Sequence, residues 1–377
     1  MGGDGAWYHR SPVIPVEPPD RRPVAPGDSV LVAGPRLFRR NLRVGLLVGV
    51  PLSVIFLFLA VRGLDPGEVA DALRGADPLP VAGAVALIGV IYSVQAARWR
   101  WIARRSARMR WRGFLRLVIA SVAVNNVIPG RPGEVLRGYW LGRAAAIPQN
   151  RAFSTVLVDR SSDVLFLVLA FSMIFPLVPH PSWLRHVYLA ALVVGGLLCC
   201  ALAIARLHTG GRQLAPMFVL DRLRRSRSGR QLSGLVHGTG ALVNRRDMVV
   251  VLAFTAAAWF CWAFAAWLVA DALGIGVSPL EIAFLTTVIN LGSAIPSSPG
   301  FVGTFQWLCL SGMALFGIDQ AEALAFSIIM QAIWYIPTTA FGVLVLTHRG
   351  ITAWSSAGIP DLSHQYDRAG QQTPANP

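Results

Sequence analysis

The feature that most constrains the fold is a six-residue pattern, Ile-Pro-x-x-Pro-Gly, which interrupts two apolar stretches of the chain. It occurs at 128–133, within VIPGRPGEVLRG, and again at 295–300, within AIPSSPGFVGTF. Prolines remove backbone hydrogen-bond donors and break a helix, and glycine permits a tight turn. Broken backbone is tolerated at membrane depth only where it is buried in protein or lines a wet cavity. If these apolar stretches enter a membrane, each break therefore has to lie in one of those two environments.

The composition indicates an all-α polytopic membrane protein. Of the residues, 54% are hydrophobic and 14% are charged, whereas soluble domains carry about 25% charged residues. The formal net charge is +15, and every basic residue is arginine. These arginines cluster between apolar runs, where the positive-inside rule requires them, so the charge is not interpreted as a nucleic-acid-binding surface.

Six full transmembrane helices are predicted, each near the 20 or so residues that a bilayer requires. They lie at about 44–61, 80–97, 153–179, 187–206, 249–271 and 323–346. The two apolar stretches that contain the Pro-Gly pattern, 114–142 and 282–316, are predicted to be re-entrant helical hairpins.

Arginine distribution predicts the orientation. The connection 98–116 carries eight arginines and no acidic residue, and 206–246 carries nine arginines and one acidic residue, so both are expected in the cytoplasm with both termini. Three crossings then separate the two hairpins. The units 80–179 and 249–346 therefore form a predicted inverted repeat, in a chain placed in the cell inner (plasma) membrane.

The transmembrane domain is predicted to cover 44–349. Residues 1–43 and 350–377 have the composition of disordered tails. The C-terminal tail is expected to be too short for a catalytic domain, and the sequence contains no nucleophile elbow, P-loop or metal-binding constellation. We therefore expect neither an enzyme nor a cofactor.

The first hairpin concentrates polar side chains at the predicted turn. Arg131 lies in the turn, Glu134 and Arg137 share a helix face three residues apart, and Asn126 ends the incoming arm. Free amides at the start of a helix together with arginines favour an anion site for a phosphate. The alternative is that Glu134 and Arg137 only neutralise each other.

The following span opens with VLVDRSSDVLFL, in which Arg160 and Asp163 accompany Asp159. These charges are either a partner set for the first hairpin or an interfacial cluster at a helix start. The second hairpin is uncharged, so Ser297, Ser298 and Gln306 offer only hydrogen bonds. The residues expected to shape the two turns are Pro129, Gly130, Pro132, Gly133, Pro296, Pro299, Gly300 and Gly303.

Three ordered motifs, IPGRPGEVLRGYWL, VDRSSDVL and IPSSPGFVGTFQ, resemble the lysylphosphatidylglycerol synthase transmembrane-region family, whose stand-alone members are flippase-like proteins. The resemblance covers roughly 44–346. The family pattern is approximately PGRxGExxR, then ERxxD, then PxxPGxxGxxE. Asp159 stands where the second motif has glutamate. Gln306 stands where the third motif has glutamate, which removes a charge and with it the basis for a proton- or cation-recognising role at that position.

An anion site at the first turn predicts an anionic or phosphate-bearing headgroup, and the resemblance implies movement of a membrane lipid with a polar headgroup between leaflets. It assigns Arg131, Glu134 and Arg137 from the first motif, and Arg160 and Asp163 from the second, to the substrate site. Two alternatives stay open: a secondary transporter of a small anion that uses the same arginines, and a membrane scaffold for a separately encoded lipid-modifying enzyme.

Overall fold

The computed structural model describes residues 50–128, 131–178, 182, 184–209, 245–292 and 298–348. This part of the chain is helical and contains no strand, which confirms the predicted all-α class. Both expected tails lie outside the described residues, as do Pro129, Gly130, Pro296 and Ser297. The helices are α1 (Val50–Val61), α2 (Pro66–Gly75), α3 (Pro78–Ala103), α4 (Trp111–Val127), α5 (Pro132–Ala144), α6 (Gln149–Ile174), α7 (Leu184–Thr209), α8 (Arg245–Ala272), α9 (Pro279–Gly292), α10 (Thr304–Met313) and α11 (Gln320–His348).

Four helical segments are long and apolar enough to cross a membrane: Pro78–Ala103, Gln149–Leu177, Arg246–Ala272 and Gln320–Thr347. They correspond to four of the predicted spans. A fifth crossing results if α1 and α2, which meet at a bend of 85°, are one broken span. The apolar part of α7, Leu184–Cys200, is not among these candidate spans. The predicted number of six spans therefore stays a prediction.

The outer surface has the character of a lipid-facing surface. Large apolar side chains are exposed on several helices, among them Phe58 (59%), Phe260 (70%) and Phe341 (60%). Soluble monomers rarely expose contiguous apolar patches of this kind. Helices α3 and α8 bury small side chains, among them Ala84, Ala265 and Ala270, which allow close helix packing inside a membrane.

Two helices begin with the same local device, an aspartate cap followed by proline. The Asp65 carboxylate accepts a hydrogen bond from the Gly67 amide, and the Asp77 carboxylate accepts one from the Leu79 amide. Proline fits the first helical position because its missing N–H needs no partner there. The short helix α2 lies in a segment, 62–79, for which the sequence indicated only a connection.

The end of α3 differs from the sequence-based boundary. The predicted span stopped at 97 and left Arg98 in a cytoplasmic connection, but the helix continues to Ala103. Arg98 is fully buried. The sequence treated this arginine as a topology signal, whereas the tertiary structure supplies it with buried carboxylate partners.

Both Pro-Gly patterns interrupt helices, as the sequence predicted. Helix α4 ends at Val127, Ile128 is extended, and Arg131 is left-handed with φ of 53° before Pro132 begins α5. At the second pattern, a short 3-10 turn over Pro299–Phe301 precedes α10. The longest of the four arms, α4, has 17 residues, which is about 25 Å of helix and less than a hydrocarbon core of about 30 Å.

Helix contacts in the two predicted units are matched one to one. In the first unit, α4 packs on α3 and α5, and α5 packs on α6; in the second, α9 packs on α8 and α10, and α10 packs on α11. Between the units, α4 packs on α11 as α9 packs on α6. Helices α3 and α8 pack together antiparallel. The residue before α3, Asp77, donates its amide to the carbonyl of the last residue of α8, Ala272, at 2.8 Å. Near the end of α3, Arg98 donates to Thr255 in the first half of α8.

Candidate functional site

A cavity of about 340 Å³ lies between the two units. Its wall takes side chains from α3, α4, α5, α6, α8, α9, α10 and α11, together with residues of both turns. Most of the wall is apolar or aromatic, and among its described residues the charged side chains are Arg131, Glu134, Arg160 and Asp163. A pocket that is largely apolar and has a few convergent polar groups is the usual form of a small-ligand site.

The two turns meet beside this cavity. The guanidinium carbon of Arg131 lies 4.6 Å from the centroid of the Phe301 ring, and both residues line the cavity. The Tyr335 hydroxyl donates a hydrogen bond of 3.5 Å to the Asn126 carbonyl, which joins α11 to the end of α4. In the described residues the two turns therefore lie close together.

Behind the cavity, Arg98 is the centre of a buried ion network. Its Nε donates to Asp159 at 2.8 Å, and its Nη2 donates to Asp163 at 2.9 Å. Thr255 and Trp259 of α8 complete the surroundings: Arg98 Nη1 donates to the Thr255 hydroxyl at 3.0 Å, and the Trp259 indole donates to Asp163 at 3.3 Å. The network thus links α3, α6 and α8.

Arg137 belongs to this network. Its side chain is 2% exposed, it donates to Asp159, and its guanidinium lies 4.0 Å from the centroid of the Trp99 ring. Arg137 does not line the cavity, so the structure separates it from Arg131, with which the sequence had grouped it. The pairing with Glu134 that the sequence offered as an alternative is a long contact of 3.8 Å.

Arg160 connects the buried network to the cavity. It is within ion-pair distance of three carboxylates: 3.1 Å to Asp159, 3.4 Å to Asp163 and 3.6 Å to Glu134. Its side chain is 38% exposed, against 0% for Asp159. This region contains four arginines and three carboxylates, so the formal charge of the seven side chains is +1. The arginines are Arg98, Arg131, Arg137 and Arg160, and the carboxylates are Glu134, Asp159 and Asp163.

The first turn is fixed by two neighbouring asparagines. The Asn125 side-chain oxygen accepts from the Gly133 amide at 2.7 Å, which satisfies a donor at the start of α5. Asn126 is buried, and its amide donates to Thr339 at 2.8 Å and to Thr338 at 3.2 Å. Asn126 also lines the cavity, as the sequence-based assignment requires of a site residue.

Gln306 stabilises the second turn through hydrogen bonds within the protein. The Gln306 oxygen accepts from the Gly303 amide at 2.6 Å, and its amide donates to Gln331. Gln331 in turn donates to the Gly300 carbonyl at 2.6 Å. Gln306 is 5% exposed and does not line the cavity.

Ser298 also lies away from the cavity wall. Its amide donates to the Ser53 hydroxyl at 2.7 Å, and its hydroxyl donates to the Val302 carbonyl at 2.9 Å. The serine therefore ties the second turn to α1. Ser297, the third candidate of this turn, lies outside the described residues.

Of the residues singled out in the sequence, Asn126, Arg131, Glu134, Arg160 and Asp163 line the cavity. Sequence reasoning did not identify Arg98 as a buried residue, although an arginine within an apolar helix could have indicated one. It also did not identify the aromatic wall of the cavity, because no local sequence pattern marks those residues. No group of three His, Cys, Asp or Glu side chains arranged for a metal ion occurs in the described part of the chain.

Comparison with known proteins gives the following similarities. The family model described as "Lysylphosphatidylglycerol synthase TM region" matches residues 44–342. A "UPF0104 membrane protein" of Methanothermobacter thermautotrophicus is 26% identical over 318 residues, which are 79% of this chain and 94% of that protein. A UPF0104 membrane protein of Methanocaldococcus jannaschii is 22% identical over 78% of this chain and 93% of its own length.

A third relative is larger than the aligned region. "Glycosyltransferase AglD" of Haloferax volcanii is 26% identical over 373 residues. The aligned residues are 89% of this chain but 59% of that protein.

Proposed function

Because the chain belongs to the lysylphosphatidylglycerol synthase transmembrane-region family, we propose that it is a multi-pass lipid transporter. In this proposal it moves a lipid with a phosphate-bearing or otherwise anionic headgroup between the leaflets of the cell inner membrane. The observation that carries the proposal is the cavity between the two turns, where Arg131 and Arg160 are the cationic side chains of a mostly apolar wall. Ionisable groups inside a membrane domain usually mark a substrate path.

The proposed architecture is an inverted repeat of the units 80–179 and 249–346 within six full spans and two re-entrant hairpins. The matched helix contacts and the antiparallel packing of α3 and α8 support it, since equivalent helices of inverted units run in opposite directions. The arginine-rich connections support cytoplasmic termini.

In the proposed mechanism the headgroup occupies the cavity while the acyl chains stay in lipid. Arg131 and Arg160 neutralise the anionic charge, so that the headgroup crosses the hydrocarbon region without being exposed to it as a free ion. Arg137 acts as a positioning residue: it holds Asp159, which in turn holds Arg160 beside the cavity. This replaces the sequence-based proposal that Arg137 binds the headgroup directly.

We further propose that the chain itself does not catalyse a reaction. One relative is a glycosyltransferase, which supports a second candidate in which the chain is the membrane partner of a separately encoded lipid-modifying enzyme. In that case the arginines beside the cavity should tolerate substitution, because a scaffold needs no headgroup site.

A scrambling assay in proteoliposomes tests the function. Fluorescent phospholipids of different headgroups are followed by reduction of the outer-leaflet label with dithionite. Arg131→Gln should reduce transport strongly and Arg131→Lys less, because lysine keeps the charge but loses the bidentate fork. Arg74→Gln is the matched control, since Arg74 pairs with exposed Asp71 on α2 and does not line the cavity. Full transport by Arg131→Gln across the lipid panel would contradict the proposed site.

A further inference from the structure

We infer that an outward ridge of α5 is the route by which an anionic phospholipid reaches the cavity from the membrane face at which α5 ends. The ridge consists of Arg131, which precedes α5, and of Val135, Tyr139 and Arg143, each four residues further along. Residues at this spacing are neighbours on consecutive turns and form a continuous ridge on a helix. This route deepens the proposed lipid transport and rests on it.

The ridge is the exposed part of the α5 surface. Arg131 is exposed, and within α5 the exposed residues are Val135 and Arg143, with Tyr139 half-buried between them. Val135 alone is 55% exposed, which is high for an apolar side chain. Helix α5 packs on α4 and α6. Its buried residues are Gly133, Arg137, Gly138, Trp140, Leu141 and Gly142.

The two arginines of the ridge cannot both lie at one membrane surface. Arg143 is 12 residues after Arg131, which is about 18 Å of helix, whereas half of a hydrocarbon core is about 15 Å. In the proposed topology Arg143 lies at the cytoplasmic headgroup level, so Arg131 reaches roughly the middle of the hydrocarbon. An exposed arginine at that depth is costly unless a polar space lies beside it, and the cavity is such a space.

Arg131 connects the ridge to the cavity. Among the described residues of the cavity wall it is the only one that is exposed, and all the others are buried or half-buried. The cavity therefore opens to the surface of the protein at Arg131. Exposed apolar residues flank the same two turns: Val127 ends α4 and is 57% exposed, and Val302 follows Phe301 and is 45% exposed. They offer an apolar surface to acyl chains.

The ridge has the charge pattern that a lipid phosphate requires. Arg143 attracts the phosphate at the headgroup level, and Arg131 receives it at the cavity, while the acyl chains stay in the bilayer beside Val135. No acidic residue belongs to the ridge. A favourable interaction with the end of the helix would explain Arg143 alone, but it would not explain an exposed arginine at the opposite end.

Transport measured against lipid content tests the route, with the full chain in proteoliposomes. The probe is the fluorescent anionic phospholipid that wild-type protein scrambles fastest, diluted in phosphatidylcholine. Arg143→Gln should raise the mole fraction for half-maximal transport about fivefold. The maximal rate should stay nearly unchanged, because the variant weakens lipid binding at the surface and leaves the cavity intact. Arg143→Lys should restore most of the wild-type value, since this step needs charge rather than a bidentate fork.

Two matched controls separate the ridge from the rest of the surface. Val135→Trp places a large ring on the ridge and should lower the maximal rate, whereas Val194→Trp should not, because Val194 is 54% exposed on α7 and does not line the cavity. Arg112→Gln should keep the half-maximal mole fraction, because Arg112 is exposed in the first turn of α4, outside the ridge.

The outcomes separate the route from the proposed function. If Arg131→Gln is inactive but Arg143→Gln and Val135→Trp transport like wild type, the route is overturned and lipid transport stands. Equal effects of Arg143→Gln and Arg112→Gln would also overturn it, because the arginines would then act only as diffuse surface charge. If wild-type protein scrambles no lipid, the proposed function fails and the route with it.

A second copy of the chain is the other occupant that could cover the ridge. In a background without native cysteines, Val135→Cys should stay monomeric on mild oxidation in proteoliposomes. Disulfide-linked dimers at this position would mean that the ridge is an interface between copies, which would overturn the lipid route.

Discussion

Arg131 and Phe301 join the two Pro-Gly turns: the guanidinium carbon of Arg131 lies 4.6 Å from the Phe301 ring centroid. Both residues have left-handed backbone, with φ of 53° and 61°. Within the described residues Ala146 is the other non-glycine residue with positive φ. Such backbone is unfavourable for residues with a Cβ and persists where the surroundings impose it, often at functional sites. The two strained turns therefore contact each other beside the cavity.

The first prediction is that these two residues are energetically coupled. Arg131→Gln and Phe301→Leu, made singly and together, should show a coupling free energy of about 0.5–2 kcal/mol, because the cation–π contact is shielded from bulk water. The measurement is a double-mutant cycle on SDS-induced unfolding in bicelles. Changes that add to within about 0.3 kcal/mol would show that the turns do not support each other.

The second prediction concerns the buried ion network. Arg98→Met should destabilise the protein by about 3–5 kcal/mol, because Asp159 and Asp163 would keep their buried charges and lose a shared partner. The same unfolding assay checks it. Arg74→Met removes a pair whose side chains are 78% and 76% exposed and should change little. Equal effects of the two variants would mean that the network does not hold the helices together.

The third prediction concerns the close approach at the first turn. A Cβ on Gly133 would lie 2.0 Å from the Ser121 carbonyl oxygen, so Gly133→Ala should force α4 and α5 apart and lower the yield of folded protein. Gly89→Ala, on an open face of α3 with nothing within 4 Å, should be neutral or slightly stabilising. Size-exclusion profiles of the two variants compare them; a monodisperse Gly133→Ala protein at wild-type yield would contradict the packing.

The fourth prediction concerns orientation. In a background without native cysteines, Asp71→Cys and Gln320→Cys should react with an impermeant thiol reagent from outside the cell, and Arg108→Cys should react only after permeabilisation. All three positions are exposed, so a lack of reaction reports the membrane side rather than burial. Labelling of Arg108→Cys from outside would reverse the proposed topology.

The sequence was sufficient for those features that depend on local chemistry. Proline and glycine break helices wherever they occur, so the interruptions at 128–133 and 295–300 were predictable. Apolar length likewise predicted four of the membrane-spanning segments. Motif resemblance selected Arg131, Glu134, Arg160 and Asp163, which the structure brings to one cavity.

Only the tertiary structure decided which arginine has which surroundings. Arg98, Arg131 and Arg137 are alike as sequence, yet Arg98 and Arg137 are buried against Asp159 while Arg131 lies over Phe301 beside the cavity. An arginine in a membrane protein is stable at the cytoplasmic surface or wherever carboxylates compensate its desolvation. For Arg98, the carboxylates of Asp159 and Asp163 lie on α6, at least 61 residues away in the chain. The local sequence around Arg98 therefore does not reveal this contact.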